Sequence, residues 1–366
     1  MDPRIPFLPM HLREDGPAVR EAIARVVASG WYVLGPEVEA FEHEFAAASG
    51  AAHAVGVGTG TDAIALILRA LGIGPGDEVI TSPLTAAFTA MAIVMAGARP
   101  VFADIDPERL TIDPAAVSAA ITPRTRAIVP VHLYGQPADM SALAAIAARA
   151  SIPLVEDCCQ AHLARANGRP VGTIGVAGAF SFYPTKNLGA LGDGGAIVTN
   201  DGELAARVRR LRNGGQQARY DHRECGVNSR LDEIQAAILR ARLPRLADWT
   251  ERRRVLGRAY RESLDGCPTV GIPPELDPGH VYHLFVVLAH DSDHRTAVRR
   301  HLASCGIETL VHYPVALTDQ PAFAAGRPSP CPKSVDICGR VLSLPLHPGL
   351  AVVDVRDVAA AVRAAR

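Results

Sequence analysis

The chain has no excess of charge of either sign. Its 37 Lys and Arg against 38 Asp and Glu leave a net charge of −1. That removes any global electrostatic case for binding nucleic acid or a membrane surface, and leaves only local basic patches to consider. It also lacks a disulfide framework. The seven cysteines are odd in number, contain no CxxC pair and include the neighbours Cys158 and Cys159. A reducing cytoplasm is the simplest setting. The opening residues, MDPRIPFLPMHLRED, show no basic stretch leading into an apolar one, so no signal peptide is expected. The uncharged helical stretch 85–97 is too short for a hydrocarbon layer of about 30 Å and fits a buried helix. Cys331 with Cys338, and His290 with His294, lack a second pair at zinc-site spacing, so no metal is expected.

What is present is a chain of 366 residues, 48% hydrophobic and 20% charged, enough for a sizeable core and about two domains. Short apolar runs at 53–58, 77–82, 98–105, 126–135, 152–157, 178–183 and 194–200 read as strands. Helical patterns at 61–71, 85–97, 113–120 and 139–150 separate the early ones. This alternation predicts a mostly parallel sheet covered on both faces. The glycine-rich segment 160–177 shows no clear helix. The loop around Lys186 is short enough for its flanking strands to be antiparallel. From Asn228 the pattern turns helical, with Ser229 and Asp232 spaced as a capping box. We expect a large α/β domain over 1–245. A smaller α+β domain follows over 246–366, with a strand in HLFVVLA and a helix near 293–304.

In open parallel sheets, ligands bind where strands end. Three ends carry unusual residues. In GVGTGTDAIAL a strand runs through glycines into a helix starting near Thr61 and Asp62, and free N–H groups at a helix start bind phosphate. The dinucleotide fingerprint fits poorly, because Thr61 stands at the third glycine position and no acidic residue ends the next strand. In IPLVEDCCQAH a buried strand ends in Glu156 and Asp157, and a buried carboxylate needs a cation or several N–H donors. In FSFYPTKNLGALGDGG, Lys186 sits in a constrained loop, where desolvation favours its neutral, nucleophilic form. A phosphate cradle, a carboxylate for a protonated ring nitrogen and a Schiff-base lysine are together what pyridoxal phosphate requires. The run RVRRLRNGG, with Arg219 and Arg223, reads either as a solvated helix face or as a diphosphate contact.

The ordered stretches WYVLGPEVEAFEHEFA, GTGTDAIALILRALGIGPGDEVI, ITPRTRAIVPVHLYGQPADM, VEDCCQAH, FSFYPTKNLGALGDGG, GVNSRLDEIQAAI, HYP and LSLPLHP carry a further signal. Through them the chain resembles, nearly end to end, the DegT–StrS family of pyridoxal-phosphate sugar aminotransferases. The resemblance implies fold type I, with a mostly parallel seven-stranded sheet between helices and a small C-terminal α+β domain. It implies Lys186 as the Schiff-base lysine, Asp157 as the pyridinium partner and Gln160 near the phenolic oxygen. Ser181 with the backbone of Gly60, Thr61 and Asp62 would hold the phosphate. Asn228 would reach that phosphate from a second subunit, so a homodimer is implied. Tyr183, Arg219, His312 and Tyr313 would line the substrate pocket. The implied reaction moves an amino group, from L-glutamate, to a nucleotide-linked 3-keto-6-deoxyhexose, most closely a dTDP sugar. A 4-keto sugar and a non-catalytic regulatory protein are the alternatives. A dehydratase on this scaffold would carry histidine in place of Lys186. Three departures from the family pattern stand out. Thr59-Gly60-Thr61 stands where many members read Ser-Gly-Thr, and keeps a hydroxyl. Cys158 and Cys159 replace small alanines and read as core. Ala86 stands where an aromatic usually stacks on the ring, with Phe88 the nearest aromatic.

Overall fold

The computed structural model describes residues 3–9, 14–326 and 330–365. Two helices, α1 (Gly16–Ser29) and α2 (Pro36–Ser49), precede a run of alternating elements. These are β1 (His53–Val57), α3 (Gly60–Ala70), β2 (Glu78–Thr81), α4 (Ala87–Met95), β3 (Arg99–Phe102), α5 (Pro114–Ala120), β4 (Thr125–Val129), α6 (Met140–Ala150) and β5 (Val155–Asp157). The segment after β5, expected without helix, forms a small hairpin of β6 (Arg165–Ala166) and β7 (Arg169–Pro170). Next come β8 (Ala177–Ser181), β9 (Gly195–Thr199), α7 (Gly202–Leu211) and a second hairpin, β10 (Gln216–Ala218) with β11 (Asp221–His222). Helices α8 (Glu233–Arg242) and α9 (Leu246–Ser263), strand β12 (Phe285–Leu288), helices α10 (Ser292–Ser304) and α11 (Pro332–Arg340), strand β13 (Val341–Leu344) and helix α12 (Val352–Ala364) complete the chain.

The strands form two main ladders. One is parallel, in the order β3-β2-β4. The other runs β1-β9-β8-β5, with β5 parallel to β8, and β9 antiparallel to both β8 and β1. Isolated parallel bridges, Ile128 to Leu154 and Val131 to Asp157, connect β4 with the segment of β5. The Lys186 loop joins β8 to β9, which pair antiparallel as expected. Burial accounts for the apolar runs: every residue of β2 and of β9 is buried. The C-terminal part has its own core, where Leu256, Tyr260, Phe285, Leu302, Leu344 and Val358 pack around the antiparallel β12–β13 pair. No helix of the described residues is long and apolar enough to cross a membrane.

Several boundaries differ from expectation for local reasons. The strand expected over 126–135 stops at Val129, because Pro130 cannot donate to a ladder and the chain turns through Leu133–Gly135. The strand expected over 77–82 covers only Glu78–Thr81, and the helix expected over 85–97 only Ala87–Met95. The capping box expected at Ser229 and Asp232 does not form. Asp232 makes no side-chain cap at α8, and the Ser229 hydroxyl instead donates to Asp62 Oδ2 at 2.8 Å and accepts the Gly58 N–H at 2.9 Å. That exchange ties the segment before α8 to the start of α3.

The residue after the failed box does different work. Glu233 is 1% exposed, and its carboxylate accepts N–H groups from Gly35, Glu37 and Val38 at 2.8–2.9 Å. It therefore caps the start of α2 from a helix almost 200 residues away, where Gly35 supplies no side chain. Removing the carboxylate strands three donors in a buried setting. Glu233→Ala is expected to lower unfolding stability by about 3 kcal/mol, read by urea denaturation. A loss below about 1 kcal/mol would show that water replaces the cap.

Candidate active site

The three strand ends singled out in the sequence meet. A Cβ placed on Gly60 would lie 2.7 Å from Cys159 Sγ and 2.8 Å from Ser181 Cβ. So the start of α3, Cys159 two residues beyond Asp157 and the end of β8 pack directly on one another, and only glycine permits that approach. Thr59 caps α3 by accepting the Asp62 N–H at 3.0 Å, and Asp62 in turn accepts the Ser229 hydroxyl. The amide of Asp62 is thus already engaged. The N–H groups of Gly60 and Thr61, which helix geometry leaves without intrahelical partners, are the donors that can meet an anion. The Ser181 hydroxyl lies beside them and accepts the Tyr183 N–H at 3.3 Å.

Adjacent residues of a strand point to opposite faces, and β5 uses both. Glu156 is fully buried, 3.1 Å from His132 Nε2, and accepts the N–H groups of Gly172, Ile174 and Gly175 at 2.7–2.8 Å. Burial alone would raise its pKa, but the His132 contact and the N–H donors hold it below the ordinary carboxylate range. Cys158 packs with this side in the core, and its thiol is pushed well up by burial. The trio His132, Glu156 and Cys158 has metal-like spacing, yet His132 and Glu156 are already satisfied by protein hydrogen bonds. On the other face, Asp157 is 4% exposed. Its Oδ2 accepts the Thr89 hydroxyl at 2.7 Å and its Oδ1 the Cys159 N–H at 3.1 Å. Among the described residues no arginine or lysine forms an ion pair with it. Cys159, expected in the core, instead turns toward the site, with Sγ near Gly60.

Lys186 follows Tyr183 through a tight turn, with its N–H donating to the Tyr183 carbonyl. Its side chain is half-buried. Burial lowers its pKa, and the neighbouring Cys159 and Asp157 pull the other way without reversing the shift. The next residue, Asn187, anchors the loop to the C-terminal part: its amide donates to the Val281 carbonyl and its oxygen meets His283 Nδ1 at 3.1 Å. A cavity of about 390 Å³ opens beside this loop, with Lys186, Arg242, Trp249, Arg252 and His347 among its walls, a volume suited to a small-molecule ligand.

Gln160 and the HYP motif form a second wall. Gln160 Oε1 accepts the Tyr134 N–H at 2.7 Å, and its Nε2 donates to the Tyr313 hydroxyl at 3.1 Å. The Tyr134 hydroxyl donates to the His312 carbonyl, and His312 Nδ1 meets Ser343 Oγ at 2.9 Å. Tyr134 was not legible as a site residue, although its place in HLYG directly after a strand was a usable signal. Thr89 was missed too; its signal was a hydroxyl in an otherwise apolar helix start. The side chains of the remaining candidates face outward or lie elsewhere. Asn228 and Tyr183 are exposed. Arg219 is exposed on the β10–β11 hairpin, its guanidinium 5.0 Å from the Tyr220 ring. The basic run of α7 is structural: Arg207 and Arg210 pair with Glu224, and Arg212 with Glu42 and the Gly56 carbonyl. Phe88 is 61% exposed, and Ala86, the residue before α4, has no ring to stack, so neither supplies an aromatic wall within this chain.

A helix start with open N–H groups, a buried carboxylate without an ion-pair partner and a desolvated lysine converge here, the kinds of group that pyridoxal-phosphate chemistry uses. The chain belongs to the DegT/DnrJ/EryC1/StrS aminotransferase family, which matches residues 14–363. It is 49% identical to the dTDP-3-amino-3,4,6-trideoxy-alpha-D-glucose transaminase of Streptomyces venezuelae, over 95% of this chain and 92% of that protein. It is 46% identical to the dTDP-3-amino-3,6-dideoxy-alpha-D-galactopyranose transaminase of Aneurinibacillus thermoaerophilus, with 94% of each covered. Among solved structures, that of S. venezuelae DesV in complex with a ketimine intermediate superposes with a TM-score of 0.95 at 48% identity, covering 99% of this chain and 98% of that one. The cofactor of the protein is pyridoxal phosphate, and the residues assembled here fit it.

The histidines around Lys186 make a prediction about pH. Burial, reinforced by the lysine charge, pulls His162 down to about 3 and His312 to about 4, and His283 falls well below the ordinary value. All three are neutral in the fold at neutral pH, whereas in the unfolded chain they take up protons below about pH 6.5. Their contribution to stability is therefore complete above that pH and is lost as pH falls from there toward the folded values. His162→Phe is expected to flatten the decline between pH 6.5 and 5 by up to about 1.4 kcal/mol per pH unit, read by urea unfolding. An unchanged slope would mean that His162 protonates in the native state.

Proposed function

We propose that the protein transfers an amino group from L-glutamate to C3 of a nucleotide-linked, dTDP-type 3-keto-6-deoxyhexose, giving a 3-amino sugar. The observation that carries the chemistry is the pair of Lys186, its pKa lowered, and Asp157, buried without an ion-pair partner, beside the open N–H groups of α3. The sugar class is supported by the names of the two relatives above. When bound, pyridoxal phosphate supplies the electron sink. Lys186 holds the cofactor and then moves the proton at the reacting carbon as general base and acid. Asp157 keeps the ring nitrogen positive. Gly60, Thr61 and Ser181, with Asp62 completing the helix start, hold the phosphate, and Gln160 sits by the phenolic oxygen. Tyr183, His312 and Tyr313 line the sugar side, and Arg219 approaches it from the neighbouring subunit.

The working unit in this reading is a homodimer, with Asn228 reaching the neighbouring phosphate. Its support is the exposed apolar surface: Phe88, Val94 and Met95 of α4 are 53–61% exposed, and Trp31 is 57% exposed. An exposed apolar helix face of this kind is what a subunit interface would cover. The two ladders are read as one seven-stranded sheet, and residues 1–245 and 246–366 as the large and small domains. The seven unpaired cysteines support a cytoplasmic setting.

Two experiments test the proposal. With glutamate as donor, kcat/KM is expected to be at least about tenfold higher for a dTDP-3-keto-6-deoxyhexose than for its 4-keto isomer, because a one-carbon displacement is about the size of misplacement that costs about 100-fold. A preference for the 4-keto sugar would overturn the assignment of C3. Separately, Lys186→Ala and Asn228→Ala proteins, each impaired alone, are expected to regain activity when mixed under subunit exchange, since a hybrid dimer contains one intact composite site. Demonstrated exchange without rescue would place Asn228 outside the neighbouring site.

A further inference from the structure

The structure assigns Thr89 as a positioning residue for the cofactor: through its hydroxyl it orients the Asp157 carboxylate toward the ring nitrogen. This inference rests on the reading of Asp157 given above. Thr89 lies in the first turn of α4 and is 2% exposed. Its Oγ1 donates to Asp157 Oδ2 at 2.7 Å, the shorter of the two hydrogen bonds to that carboxylate. Thr85 Oγ1, also buried, lies 3.4 Å from Thr89 Oγ1 and extends the hydroxyl chain away from the site.

The geometry goes beyond a filled hydrogen-bond requirement. A carboxylate on a strand end can still rotate about its side-chain torsions, and burial without an ion pair gives it no partner of its own to choose one rotamer. Two donors from different elements remove that freedom. The Cys159 N–H fixes Oδ1 from the strand's own continuation, and Thr89 fixes Oδ2 from α4. Each oxygen keeps lone-pair capacity for a further donor. The start of α4, whose dipole favours an anion, is thereby tied to the carboxylate. The same helix lacks the aromatic wall, since Ala86 occupies that place and Phe88 points to the surface. Helix α4 thus contributes to the ring through the hydroxyl of Thr89 and not through stacking. Valine in place of threonine keeps the shape and removes the donor.

The readout is the pH midpoint of the visible band of the protein loaded with pyridoxal phosphate, with Thr89→Val, Thr89→Ser and Asp157→Asn measured beside the parent. A positive ring nitrogen opposes protonation at the lysine nitrogen and keeps that midpoint low. A misaligned Asp157 holds the ring charge less well, so Thr89→Val is expected to raise the midpoint by about one pH unit and to weaken cofactor retention about tenfold. Thr89→Ser, which restores the donor, is expected to stay within about 0.3 unit of the parent. If Asp157→Asn raises the midpoint and Thr89→Val does not, the role of Thr89 is overturned while that of Asp157 stands. If Asp157→Asn leaves it unmoved, the Asp157 reading fails and this inference with it. A drop in thermal stability of Thr89→Val at an unchanged midpoint would show a structural role only, and would also overturn the proposal. Should the valine variant not fold, Thr89→Ala is read by the same criteria.

Discussion

The arrangement of the site depends on the buried carboxylate of Glu156. It collects one histidine and three backbone N–H groups from the 172–175 turn, and so fixes the end of β5 in the interior. Because successive strand residues face opposite ways, pinning Glu156 on one face aims Asp157 on the other. The cost of an unpaired buried charge is met on the first face by hydrogen bonds, and on the second it remains partly open. Under the proposed function, that open requirement is the one a cationic ring nitrogen would meet. The site is thus a consequence of one strand carrying two carboxylates with different degrees of satisfaction.

Around this strand the loops lock one another. Ser229 joins the segment before α8 to α3, Asn187 joins the Lys186 loop to the C-terminal part, and Tyr134 joins Gln160 to the HYP motif. These links span large sequence separations and use side chains to hold backbone. Pre-organisation of this kind keeps Lys186, Asp157 and the start of α3 in register before any ligand arrives.

Much of this was legible in the chain. The apolar runs and glycine-rich turns located β1, β2, β5, β8 and β9, and the odd residues at their ends marked Lys186, Asp157 and the start of α3. What escaped was long-range. A capping box is a local pattern, so it could not reveal that Ser229 serves Asp62 or that Glu233 caps a helix almost 200 residues away. The arginines of α7 carried two readings in sequence, and only packing against Glu42 and Glu224 decides between them. Adjacent Cys158 and Cys159 shared one reading although a strand end sends them to opposite sides. Thr89 looked like an ordinary polar interruption of an apolar helix, because its partner lies 68 positions on.

The central claim is that one lysine, Lys186, holds the cofactor at this junction. The most direct test is to load the protein with pyridoxal phosphate, reduce it with borohydride, digest it and map the modified peptide by mass spectrometry. The account predicts a single stable label on Lys186, absent from Lys186→Ala, whose visible band is also lost. A label on another lysine, or a retained band in Lys186→Ala, would contradict it.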